Sequence, residues 1–135
     1  MKNMALALVA LALLSGDPPK AARRPDEEEL RTFMQQKLGH SQKVLEGVVL
    51  GKFDAIDTGA QAMSVLSVDA SWQVLQTFGY QQRSAEFRRT ADTLSRMAKA
   101  KNLDGAALAY VQLTLNCVDC HKYIRGVKAE TRKRG

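Results

Sequence analysis

From Leu30 onward, apolar side chains return every third or fourth residue, and this period constrains the fold more than any other feature of the chain. Leu30, Met34, Leu38, Ser41, Leu45 and Val48 form the first stripe. Pro25, Asp26 and the acids Glu27, Glu28 and Glu29 precede it, and Gly51 follows it. Acidic groups suit the unpaired N–H groups and positive dipole end of a helix start, and glycine suits the left-handed residue that ends one. A second helix is expected from about Asp54 to Asp69, turning Ile56, Ala60, Met63 and Leu66 inward. A third is expected over 81–100, with Phe87, Ala91, Leu94 and Met97 on one face. Residues 70–80 carry Trp72, Val74, Leu75 and Phe78 without a clean period and read as a packed connection with a short helical turn. Asn102 and Asp104 mark a tight turn, with Asp104 as the expected cap of a fourth helix. That helix carries Leu108, Val111 and Leu115 on one side and Ala107, Tyr110, Thr114, Cys117 and His121 on another. No segment alternates as a strand would, and there are no internal repeats. The expected fold is an all-α, antiparallel four-helix bundle over residues 26–126.

A chain of 135 residues has room for one such domain, and its 6% aromatic content agrees with helices over strands. A domain this small gains from any cofactor that adds buried apolar area. The formal charge is +6, concentrated at Arg23 and Arg24 and then at Lys122, Arg125, Lys128, Arg132, Lys133 and Arg134. Residues 127–135 read as a basic tail, solvated or facing an acidic partner. Nucleic-acid binding is not expected, because neither aromatic interleaving nor a base-reading motif accompanies the charge. At the amino terminus, Lys2 precedes an apolar run from Met4 to Leu14. That run has the length of a signal-peptide core and falls short of the ~20 apolar residues that span a bilayer. Residues 1–16 are therefore expected to be a signal peptide, and 17–25, which hold all three prolines, a linker. The expected location is periplasmic or otherwise extracytoplasmic, with no membrane insertion after processing.

Near the end of the fourth helix stands Cys117-Val118-Asp119-Cys120-His121. Cysteines three apart share one helix face and can add to the two vinyl groups on a porphyrin edge. The histidine that follows can offer an imidazole nitrogen to iron. Other uses of the motif fit less well. A thioredoxin-type pair follows a strand, structural zinc needs further ligands where His40 is the only other histidine, and a disulfide between these positions is geometrically awkward. The cofactor expected is one covalent haem c, attached through Cys117 and Cys120 with His121 as the proximal ligand. An exported chain agrees, because such haem is attached outside the cytoplasm.

A helical bundle with this motif at its C-terminal end resembles the cytochrome c prime family, over roughly Asp26 to Arg125. In that family an aromatic and then a basic residue commonly follow the histidine close to the imidazole. Here Ile124 and Arg125 hold those places, with Tyr123 one position earlier. The resemblance implies that Arg125 lies by the haem and that the first helix faces the ring's other side. Some members place a methionine there and carry electrons with six-coordinate iron; others leave the face open to NO or CO for scavenging or sensing. Met34 is the methionine of the first helix and the expected sixth ligand, with core packing as its other reading. Spacing counted back from Gly51 falls on Gln35 instead. His40, off the apolar stripe, is read as a surface residue, and Phe33, Leu38 and Phe87 as pocket walls or core. The leading expectation is a single-electron carrier that is not an enzyme, with an acidic redox partner. A peroxidase-like reaction lacks a persuasive acid–base arrangement in His40, Arg31 and Lys37. The resemblance also implies pairing of two copies through the first two helices. Val44, Val49 and Ile56 would serve there or, equally, in a monomer core.

Overall fold

A computed structural model describes residues 25–69, 72 and 74–135. The expected signal peptide and residues 17–24 of the linker lie outside them. The described residues form four helices, α1 (Glu27–Leu50), α2 (Phe53–Leu66), α3 (Phe78–Lys99) and α4 (Leu103–Arg134), and include no strand.

Each helix starts where a side chain can satisfy its free N–H groups, with one exception. Asp26 caps α1 in a reciprocal box, its Oδ1 accepting from the Glu29 N–H at 2.9 Å while its own N–H donates to Glu29 Oε2 at 3.0 Å. Gly51, at φ 64°, ends α1 in the left-handed conformation and donates its N–H to the Gly47 and Val48 carbonyls. The exception is α2, which follows after Lys52 with no side-chain cap. Helix α3 begins at Phe78, earlier than the apolar period indicates, because the Thr77 hydroxyl accepts from the Tyr80 N–H. At α4 the cap is Asn102, which accepts from the Gly105 N–H at 2.9 Å. Asp104 therefore sits inside the first turn, where its charge still favours the helix dipole. The basic segment 127–134 continues α4 as exposed helix.

Packing is closest between α1 and α2, α2 and α3, and α3 and α4; α1 and α4 also meet, over a much smaller contact. Val44, Ile56, Ala60, Met63, Phe87 and Leu94 lie in the shared core. Val44 and Ile56 are thus interior residues of the monomer, whereas Val49 is exposed. The inward face of α1 is Phe33, Lys37, Val44 and Gly47. Leu38 and Leu45, expected inward, lie 57% and 46% exposed. The true face is rotated by one residue from the apparent stripe, since a lysine occupies one of its positions. On α4 the buried residues are Ala106, Ala109 and Leu113, while Leu108, Val111 and Leu115 face outward. No described helix is long and apolar enough to cross a membrane.

Candidate functional site

The site lies in the seam between α1 and α4. Cys117 and Cys120 are half-buried, unbridged thiols one turn apart on α4, and His121 follows as an exposed residue. Two cavities border the seam. One, of 300 Å³, is lined by Met34, Lys37, Leu38, Met63, Cys117 and His121 among others. The other, of 820 Å³, has an apolar wall of Leu30, Met34, Val74, Leu75 and Ile124 beside His121, with Arg125, Lys128 and Arg132 supplying positive charge. Met34 and His121 line both, so the seam joins a thioether on α1 to the imidazole on α4.

The helical segment that carries the motif is fixed from α3. The Tyr123 hydroxyl lies 2.8 Å from Thr77 Oγ1. Its ring rests on Gly79, where a Cβ would come within 2.9 Å of the phenol oxygen. The Arg83 guanidinium covers that ring at 4.4 Å from its centroid. Arg83 Nε also stands 2.7 Å from Asp119 Oδ2, as an ion pair without hydrogen-bond alignment. Tyr123 thus anchors α4 to α3. At the far end of the seam, Ser41 Oγ and the Tyr110 hydroxyl lie 3.3 Å apart, linking α1 to α4.

Beneath the seam lies an aromatic group. Trp72 is enclosed by Phe33 in an edge-on contact at 6.3 Å and by Phe87 at 5.1 Å. Its carbonyl accepts from the Tyr80 hydroxyl. Its indole Nε1 is buried with no hydrogen-bond partner among the described residues. The Lys37 ammonium rests against the same rings, 3.8 Å from the Trp72 centroid and 3.9 Å from that of Phe87. Burial lowers the Lys37 pKa to about 8, with the two thiols pulling it upward. Burial raises both cysteine pKa values, against the positive charge of Lys37. Partial burial and then the charges of Lys37 and Arg125 lower that of His121, which favours the neutral imidazole that binds metals.

The candidate residues of the sequence therefore divide. Cys117, His121, Met34 and Leu38 share the smaller cavity, Leu38 at its solvent side, and Arg125 joins His121 and Met34 in the larger. Phe33 belongs to the aromatic core against Trp72. Gln35 is exposed at the smaller cavity. His40 lines a polar cleft between α1 and α2 with Lys43, Glu46 and Asp54, away from the motif. No group of three or more His, Cys, Asp or Glu side chains among the described residues is placed to hold a metal ion. Sequence reading passed over Lys37 as a site residue, for its only signal was its spacing of four from Phe33 and seven from Val44. Compared with protein-family models, curated proteins and solved structures, the chain matches none.

Proposed function

We propose that the chain is a monohaem c-type cytochrome, an antiparallel four-helix bundle like those of the cytochrome c prime family, that passes single electrons outside the cytoplasm. The observation that carries this reading is the placing of Cys117 and His121, with Cys120 beside them, along a helix pair that meets over a much smaller contact than the bundle's closest pairs, and against two largely apolar cavities. The donor set suits a covalently held haem: two thiols on one helix face and an imidazole beside them.

Haem, when bound, supplies an iron centre that takes up and gives back one electron. Cys117 and Cys120 would anchor it as thioethers, and His121 would hold the iron from α4. Ile124 and Leu30 exclude water beside His121, and Arg125 adds positive charge that favours the reduced, less positive centre. The opposite side falls to α1, where Met34 brings a thioether to both cavities. The protein acts as a carrier and not an enzyme. Its basic α4 extension guides an acidic partner mainly by speeding encounter, so electron exchange slows as salt rises.

The test is the absorption spectrum of the holoprotein, before and after exposure to NO and CO. A low-spin spectrum in both oxidation states, unchanged by NO and, in the reduced protein, by CO, with reversible one-electron reduction, supports the carrier. A high-spin spectrum that shifts with NO or CO overturns it in favour of a gas-binding haem protein.

A further inference from the structure

Lys37 is the charged group in the seam that the carrier reading leaves without a task. It projects from α1 into the core and is only 8% exposed. Its ammonium touches the faces of Trp72 and Phe87, and among the described residues no carboxylate or carbonyl pairs with it. The attraction of a ring face for a desolvated cation is smaller than the cost of taking an ammonium out of water. An ammonium with no anionic partner gives up its proton more readily than an exposed one, which frees its nitrogen lone pair. Its position agrees, for Lys37 lines the smaller cavity together with Cys117 and His121.

We propose that the Lys37 amine, and not the Met34 thioether, is the α1 group that binds the haem iron opposite His121. The assignment rests on the haem reading above and narrows it to a carrier with two nitrogen axial ligands. On binding, the ammonium releases one proton to solvent and its lone pair forms the bond, with no change in oxidation state. Met34, one turn earlier on α1, then packs beside the ring as an adaptable apolar contact. Amine ligation also stabilises the oxidised iron relative to thioether ligation, so the carrier would work at a lower potential than a methionine-ligated one.

The experiment uses the full chain expressed with the haem-attachment machinery, read by near-infrared magnetic circular dichroism and electron paramagnetic resonance of the oxidised protein. The expected wild-type signal is low-spin with two nitrogen ligands and no sulfur-to-iron charge-transfer band. Met34→Ala keeps that signal. Lys37→Ala and Lys37→Arg become high-spin, the arginine because it keeps the charge but offers no free lone pair. Added ethylamine restores the low-spin signal to Lys37→Ala. A sulfur band in the wild type that disappears in Met34→Ala overturns the assignment, as does a low-spin signal unchanged in Lys37→Arg. Should the variants fail to fold, the wild-type spectrum alone decides between nitrogen and sulfur. These failures leave covalent haem in place and are thereby distinct from failure of the cytochrome reading, in which no haem is attached.

Discussion

The α2–α3 interface and the α1–α4 seam are built from similar residues to different standards. Between α2 and α3, Ile56, Ala60, Ala91 and Leu94 are fully buried. The polar groups there have partners. Ser95 donates to Asp57, Ser64 donates to Asp92 at 2.7 Å, Arg88 Nε donates to Ser67 Oγ at 3.1 Å, and Lys99 lies 3.7 Å from Asp57. Along the seam, two thiols stand unbridged, the Lys37 ammonium rests on ring faces, and the buried Trp72 Nε1 has no hydrogen-bond partner among the described residues. Both regions carry polar side chains, but only one matches them internally. Such local inconsistency is where a chain spends stability on function. The α2–α3 side makes the scaffold, and the seam displays the groups that do chemistry.

If that contrast is right, the two sides respond differently to substitution. The largest effect is expected from Cys117→Ala with Cys120→Ala, which removes covalent attachment. Losing the haem's buried area should destabilise the protein by about 5 kcal/mol, or roughly 20 °C in Tm. Thermal melting followed by circular dichroism checks this, and an unchanged Tm would place the seam on a par with the scaffold. Next, Leu94→Ala should cost about 4 kcal/mol, because a fully buried leucine leaves a cavity in a rigid core. The loss should be the same with and without haem; a loss seen only in the holoprotein would make the α2–α3 side part of the site.

A pH titration of the haem-free chain probes the seam alone. In the folded chain Lys37 holds its proton with a pKa of about 8, against 10.5 when exposed. Between these values the unfolded chain binds more protons at this group, so the Lys37 contribution to stability rises with pH across that window by about 3 kcal/mol. Cys117 and Cys120, whose pKa values burial raises, contribute in the opposite sense from about pH 9. Below about pH 8 the buried charge is present in both states and its cost is constant. Chemical unfolding of the wild type and of Lys37→Met at a series of pH values isolates the rise as the difference between the two. A difference that stays flat would mean that the ammonium is solvated and the seam is less distinct than described. The smallest effect belongs to Gly51→Ala, about 1 kcal/mol for placing a Cβ at φ 64° between α1 and α2. Because this hinge serves the scaffold, the haem spectrum should not change.

Much of this architecture was legible locally. The α1 start near Asp26, the Gly51 stop and the inward Ile56, Ala60, Met63 and Leu94 follow from short-range rules and stand where those rules put them. The α3 start was less legible, since Thr77 acts through one hydroxyl and not through a periodic pattern. Asn102 and Asp104 are both good caps, and the preceding left-handed Lys101, at φ 54°, favours the nearer one. The face of α1 was misread for a deeper reason. Hydropathy counts lysine as a surface residue, so Lys37 concealed the stripe to which Phe33 and Val44 belong and drew Leu38 and Leu45 into it. A buried ammonium depends on aromatic rings far away in sequence, at Trp72 and Phe87, which no local pattern anticipates. The motif on α4 was plain, while its anchorage through Tyr123 to Thr77, Gly79 and Arg83 exists only once α3 and α4 are packed.

The central claim is that Cys117, Cys120 and His121 make the seam a covalent haem site. Its most direct test is the intact mass of the full chain after expression with the haem-attachment machinery, followed by acid–acetone extraction. The account predicts a mass increase of one haem that survives extraction, and its loss when both cysteines are replaced by alanine. A chain that gains no haem, or one whose haem is extracted intact, would contradict it.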